Sequence, residues 1–271
     1  MKIIVSLTTT PFRLNRIEPC LYSLLNQKTN CQYEVHLNIP NIYKKTNEPY
    51  ILSDYIKNNT DIKLKIFNNL DDQGPITKIY YTIDRINNPD DIIIVCDDDM
   101  IYNEKLVDEH VQNQKLYDNC AIGYSGLYIA RKEPQEFFND RRDEYVTSIF
   151  RNAYVNYLEH YKTVSYKRKY FQDDFKQFVS ESGWNDDVTL GAYMSLKNIK
   201  RMVTFYKHDR PMYTLSDWET YGLGKNGSLT FPLIKDISNA DIIDGANLFR
   251  LNKDDEGYYK FAKNGLFYFY Y

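Results

Sequence analysis

Cysteine is scarce in this chain. Cys20, Cys31, Cys96 and Cys120 are the only four in 271 residues, and no two form a CxxC pair. That spacing argues against structural zinc and a disulfide scaffold, and reads as isolated buried thiols in a reducing compartment. With 11 glycines and 9 prolines the chain is neither collagen-like nor of low complexity. No run approaches about 18 consecutive apolar residues, so none reads as a membrane span. The opening MKIIVSLTTTPF lacks a long apolar region and a small-residue cleavage site, and reads as a core strand rather than a signal peptide. Positive charge is also short: 34 Lys and Arg against 37 Asp and Glu give a net charge of -3. Without a dense basic field, binding along a nucleic-acid backbone is disfavoured. The expected location is the cytoplasm, that of a host cell included, with peripheral membrane association left open.

What is present is an ordinary apolar content of 43% and a surplus of tyrosine, 26 residues. The tyrosines, with many Lys, Asn and Ile residues, fit a biased genome as well as a binding face. The length suits one large domain, or one domain with an appendage. Apolar runs at 2–7, in YEVHLNIP, at 62–67 and at 91–96 read as strands. Segments 16–27, 76–86 and 104–114 carry helical spacing between them, for example Ile76, Ile79, Ile83 and Ile86. This alternation indicates an α/β fold with a mostly parallel sheet, and the run ending in Cys96 is apolar enough to lie centrally. Residues 121–130 read as a strand split by Gly123 and Gly126, and 131–180 as irregular structure with a strand or hairpin covering the sheet. Residues 185–196 read as a helix capped by Asn185 or Asp186, and 200–206 as a late strand. A helix-like stretch around 236–250 and an aromatic tail close the chain.

The sharpest feature is IIIVCDDDM, an apolar strand running directly into Asp97, Asp98 and Asp99. Three like charges there are unfavourable unless something positive joins them. In open α/β sheets ligands bind beyond the carboxyl ends of the strands. Two carboxylates two residues apart can share one hard cation, Mg²⁺ or Mn²⁺, which can also hold phosphate oxygens. In extended geometry Asp97 and Asp99 would face one side and Asp98 the other. The competing reading is a solvated acidic turn that caps the next helix.

The layout resembles glycosyltransferases of the GT-A fold, in particular the inverting family-2-like group with its DxD motif. The resemblance covers about residues 1–210 and rests more on the order of its parts than on any one motif. It implies a single mostly parallel sheet flanked by helices. It also implies that Asp97, Asp98 and Asp99 bind a divalent cation, Mn²⁺ or Mg²⁺, and the diphosphate of a nucleotide-sugar. SLTTTPFR matches the loop that cradles the nucleoside, through Thr8, Thr9, Pro11 and Arg13, with Arg13 or Arg16 suited to phosphate. LDDQGPITK brings Asp71 and Asp72 toward base or ribose and Lys78 toward pyrophosphate. SGWNDD matches the segment of the catalytic base: Asp187, or else Asp186, is the base, and Trp184 lines the acceptor or sugar pocket. His208 is a candidate third metal ligand. Each has a plainer alternative: a turn for SLTTTPFR, a surface Lys78, a double helix cap for Asp186 and Asp187.

The expectation is therefore a hexosyltransferase acting on a nucleotide-sugar, UDP-sugars favoured, with a glycan or small hydroxyl acceptor. Residues 1–215 would form the catalytic domain, with the donor half at about 1–115 and the acceptor half at about 116–215. Residues 216–271 would form a C-terminal extension, with Gly222, Gly224 and Gly227 marking a lid over the donor. Two alternatives stand beside this: a nucleotidyltransferase or related Mg²⁺-dependent phosphoryl-transfer enzyme, and a non-catalytic glycan-binding module using the tyrosines. No P-loop and no dinucleotide glycine fingerprint occurs.

Overall fold

The computed structural model describes residues 1–130, 145–149, 152–182, 185–207 and 212–214. The expectations for Trp184, His208, the 236–250 helix and the 216–271 lid lie outside the described residues. In chain order the strands are β1 (Ile3–Thr8), β2 (Glu34–Pro40), β3 (Ile42–Tyr43), β4 (Glu48–Pro49), β5 (Leu64–Leu70), β6 (Ile92–Val95), β7 (Met100–Tyr102) and β8 (Cys120–Gly123). They continue as β9 (Gly126–Ala130), β10 (Tyr145–Ile149), β11 (Ala153–Tyr154), β12 (Tyr157–Leu158), β13 (Val164–Lys167), β14 (Lys200–Val203) and β15 (Met212–Thr214). The helices are α1 (Glu18–Leu25), α2 (Asp54–Lys57), α3 (Thr77–Tyr80), α4 (Leu106–Leu116), α5 (Phe175–Ser182) and α6 (Asp186–Leu196).

Eight strands form the central sheet in the order β11-β14-β8-β13-β6-β1-β2-β5. β6, β1, β2 and β5 run parallel, and β14 runs parallel to β8. β13 is antiparallel to both β6 and β8, so those two share a direction; β11 opposes β14. The result is the mixed, mostly parallel sheet flanked by helices expected from the sequence. β6 lies near its middle, and all four of its residues are buried. Ile92 and Ile94 join the core around α1 and α4 on one face, while Ile93 and Val95 join the core around α3, α5 and α6 on the other. A strand covered on both faces needs a continuous apolar run, which is what IIIV supplies.

The structure corrects three local expectations. First, the segment KTVSYKRKY does not cover the sheet: β13 is inserted into it, between β6 and β8. Val164, Ser165 and Tyr166 are buried there, and only Lys167 is partly exposed. Second, the 76–86 helix breaks into 3₁₀ turns at Gly74–Ile76 and Thr82–Arg85 around the short α3. The Ser6 hydroxyl donates to the Lys78 carbonyl, and the Thr82 hydroxyl donates to it at 3.2 Å. The Thr82 bond, one turn back along the chain, competes with the helix ladder, and the Ser6 bond reaches the same carbonyl from β1. Third, 121–130 is two strands in two sheets, β8 and β9. Gly126 is required at the crossing, since a Cβ there would lie 2.8 Å from the Tyr157 carbonyl oxygen.

The common strand direction places the site. The loops after β1 and β6 leave from the carboxyl edge of the sheet. α6 precedes β14 and runs back along the sheet, so its N-terminus returns to that same edge. No helix among the described residues is long and apolar enough to cross a membrane. The four cysteines are free.

Candidate active site

The Asp triplet follows β6 in a bend, not in an extended strand. This changes how the charges divide. Asp98 and Asp99 turn together toward Arg13, whose Nη1 lies 2.7 Å from Asp98 Oδ1 and whose Nη2 lies 2.9 Å from Asp99 Oδ2. Asp97 turns the other way, its Oδ1 2.6 Å from Lys78 Nζ. Thr9 Oγ1 donates to Asp98 Oδ2 at 2.5 Å, so both oxygens of Asp98 are held. The Tyr102 hydroxyl fixes the backbone of Asp97, accepting from its N–H at 2.8 Å and donating to its C=O at 2.9 Å.

Lys78 connects this corner to α6. Its side chain is only 3% exposed, and Nζ lies 2.5 Å from Asp186 Oδ2 as well. Burial alone would lower the Lys78 pKa, but Asp186 and then Asp97 outweigh it and hold the ammonium above its ordinary value. The backbone beneath Lys78 is fixed by a buried polar network. Asn38 Nδ2 donates to Ser6 Oγ at 3.0 Å, Ser6 Oγ and Thr82 Oγ1 lie 2.7 Å apart, and Arg85 donates to Asn38 Oδ1 at 2.6 Å. Lys78 is therefore not a surface lysine.

At the start of α6 the cap is Asn185, whose Oδ1 accepts from the Val188 N–H at 3.0 Å. Asp186 and Asp187 are thus free of capping duty. Asp187 Oδ1 accepts from the His160 N–H at 2.9 Å and lies 2.5 Å from His160 Nδ1. His160, Asp186 and Asp187 bring ligand atoms within 4.8 Å of one another, the spacing of a candidate cation cluster. The two acids sit in different states. Burial pushes Asp186 up, but Lys78 and His160 outweigh it and hold the carboxyl low. Asp187 is raised by burial and by the charge of Asp186, against the pull of His160. Burial likewise lifts Asp99 to about 7, with Arg13 opposing and Asp98 and Asp97 adding to the rise.

The other expected residues lie around this line of charges. Thr8 Oγ1 donates to the Asn38 carbonyl at 2.8 Å and ties β1 to β2. Pro11 is partly exposed at the start of the loop that carries Arg13, and Arg16 is exposed. Asp72 is buried and accepts from the Lys44 and Gly74 N–H groups at 3.0 and 2.8 Å, shaping its own loop. Asp71 is exposed, and its carbonyl accepts from Tyr81. His110 is a core histidine, bonded to Ser165 and Thr163. Sequence reasoning missed His160, a lone histidine in a tyrosine-rich stretch with no spacing to mark it.

No family model and no curated protein matches the chain. Solved structures do. S. aureus TarS 1–349 is 12% identical with a TM-score of 0.48, covering 98% of this chain and 81% of that one. The mannosyltransferase PcManGT from Pyrobaculum calidifontis, solved with GDP-Man and Mn²⁺, is 12% identical with a TM-score of 0.45, covering 75% of this chain and 54% of that one. The 2-C-methyl-D-erythritol 4-phosphate cytidylyltransferase of Francisella tularensis is 11% identical with a TM-score of 0.44, covering 80% and 94%.

Proposed function

We propose that the protein is a metal-dependent inverting glycosyltransferase of GT-A type. It would move a hexose from a nucleotide-diphospho-sugar, UDP-sugars favoured, to a hydroxyl of a glycan or related acceptor. One observation carries this reading: the loop after β1, the end of β6, Lys78 and the start of α6 meet at the carboxyl edge of the sheet through two groups of ion pairs, Arg13 with Asp98 and Asp99, and Lys78 with Asp97 and Asp186, joined by the backbone of the Asp triplet. That edge is where such sheets bind nucleotides.

The residues present fit a hard divalent cation. Among the described residues, the carboxylates of Asp97, Asp98, Asp99 and Asp186 share two permanent side-chain cations, Arg13 and Lys78, and Asp187 meets His160. Asp99 Oδ1 is buried with no hydrogen-bond partner among the described residues. An orphaned acceptor in an acid-rich site favours a positive ligand. Asp99, through its unpartnered Oδ1, would hold Mn²⁺ or Mg²⁺, with Asp97 joining by turning away from Lys78 and His208 as a further ligand. When bound, the cation would offset charge on the leaving diphosphate.

Asp187 serves best as general base. Its side chain is 30% exposed, whereas Asp186 is 6% exposed and neutralised by Lys78. A raised pKa also brings Asp187 nearer to the proton affinity a base needs. Arg13 would bind diphosphate oxygens, Lys78 would do so by exchanging its contact with Asp97, and Trp184, outside the described residues, would serve the acceptor side. The donor half spans about 1–115 and the acceptor half about 116–215.

The convergence of acids also favours a second reading, a nucleotidyltransferase, because paired aspartates hold Mg²⁺ there too. A panel of nucleotide-sugars with Mn²⁺ separates the two. Metal-dependent release of a nucleoside diphosphate supports sugar transfer. Release of pyrophosphate from a nucleoside triphosphate supports the second reading, and no nucleotide binding at all defeats both.

A further inference from the structure

We propose that His160, backed by Tyr166, is a positioning residue that fixes Asp187 as the base; this rests on the transferase reading above. His160 grips one carboxylate oxygen twice. Its backbone N–H donates to Asp187 Oδ1 at 2.9 Å, and its Nδ1 lies 2.5 Å from the same atom. The other ring nitrogen, Nε2, lies 2.8 Å from the Tyr166 hydroxyl. The carboxylate can only accept, so Nδ1–H donates to Asp187, and Nε2 shares the second bond with the Tyr166 hydroxyl. The two rings stack with centroids 6.0 Å apart and planes at 25°. His160 is 1% exposed and Tyr166 is 2% exposed, so water does not compete for either nitrogen. With Oδ1 committed, Oδ2 of Asp187 is left for an acceptor hydroxyl. An orienting partner behind a base is the logic of catalytic triads, here with the order of His and Asp reversed.

The segment around His160 is built to hold this geometry. Thr163 follows the 3₁₀ turn His160–Lys162 with φ 69° and ψ 141°, a conformation that a β-branched residue adopts only under strain. Its N–H donates to the His160 carbonyl at 2.9 Å, and its Oγ1 is tied to His110 Nε2 at 2.7 Å. Tyr166 lies on β13, between two neighbouring strands. Both ends of the relay are therefore anchored in the core.

The same three residues have the spacing of a cation cluster, but the contacts favour hydrogen bonding. Two ligands of one octahedral cation at about 2.1 Å lie about 3 Å apart, wider than the 2.5 Å between His160 Nδ1 and Asp187 Oδ1. Asp186 Oδ2 is already occupied by the Lys78 ammonium at 2.5 Å.

The test has one arm that needs no turnover and one that does. In the full chain carrying ¹⁵N-histidine, one slowly exchanging, strongly downfield Nδ1–H resonance is expected, lost in Asp187→Ala, which removes the acceptor. If no such resonance exists, or it survives Asp187→Ala, the contact is absent and the proposal fails whatever the activity. In the donor assay His160→Ala is expected to lower kcat by up to about 100-fold, with the donor KM and the Mn²⁺ requirement unchanged. His160→Asn, which retains a donor near the Nδ1 position, recovers most of the rate. Equal losses in both variants, or a raised Mn²⁺ requirement, overturn the assignment. A wild type that shows the resonance but turns over no donor defeats the transferase reading, and the role of His160 with it.

Discussion

Lys78→Met keeps the length of the side chain and deletes the ammonium that Asp97 and Asp186 share. Asp97, with 30% of its side chain exposed, can turn to water; Asp186, at 6%, cannot. The next donor near Asp186 is His160 Nδ1 at 3.5 Å, already committed to Asp187. Removing one partner of a buried ion pair costs about 3–5 kcal/mol, a large share of the roughly 5–15 kcal/mol that stabilises a domain. We expect a loss of about 3 kcal/mol, the lower end of that range, from urea unfolding at pH 7 in EDTA. The loss depends on pH with a definite sign. In the wild type Asp186 is held low because Lys78 outweighs burial, so its contribution is present above the unfolded value of about 3.9 and lost as pH falls through the lower folded value. In the variant the largest force opposing burial is gone and only His160 and a backbone hydrogen bond remain, so the Asp186 pKa rises and the carboxyl takes up a proton at a higher pH. The gap between the two proteins therefore narrows from pH 7 to pH 5. Adding Asp186→Asn to Lys78→Met restores part of the loss, with a coupling above about 1 kcal/mol in the double-mutant cycle. A cost under about 1 kcal/mol at pH 7, or one identical at both pH values, would refute the buried bridge.

Three further outcomes are expected. Gly191→Ala places a Cβ 2.6 Å from Tyr157 Cβ, so it should cost about 1–3 kcal/mol in urea unfolding; an unchanged midpoint would mean that β12 is not packed on α6. Burial draws His110 down to about 3, so the folded state keeps it neutral while the unfolded state takes up a proton near pH 6.5. Stability from this site is full above pH 6.5 and falls as pH drops toward 3, and His110→Gln should flatten that part of the profile; the same slope in both proteins would contradict it. Arg13→Lys cannot reproduce the fork that spans Asp98 and Asp99, and should cost about 1.5–3 kcal/mol through one lost charge-assisted bond; stability equal to wild type would count against the fork.

The α/β order was legible because apolar runs such as IIIV need burial on both faces, and Ile76, Ile79, Ile83 and Ile86 all reached the core as their spacing implied. The triplet, Arg13, Lys78 and the paired acids of α6 were legible as chemistry because charges at strand and helix ends must find partners. Which partner each charge meets was not legible. The split of Asp97 from Asp98 and Asp99 depends on a bend after β6, which strand periodicity cannot anticipate. Thr9, expected at the nucleoside, bonds Asp98, and Asp72, expected at base or ribose, holds loop N–H groups. Ile62, read as part of the β5 face, lies outside that strand and is 83% exposed. His160 and Tyr166 are six residues apart and meet only because a strained turn folds one back over a strand that enters the sheet.

The central claim is that the acids at the end of β6 bind the donor through a cation while Asp187 performs the proton transfer. Titrating the turned-over nucleotide-sugar into Asp187→Asn and Asp99→Asn, with and without Mn²⁺, and following transfer in parallel, tests it most directly. Asp187→Asn is predicted to bind donor as the wild type does and to lose transfer, and Asp99→Asn to lose the Mn²⁺-dependent part of donor binding. Wild-type transfer in Asp187→Asn, or Mn²⁺-dependent binding untouched by Asp99→Asn, would contradict the account.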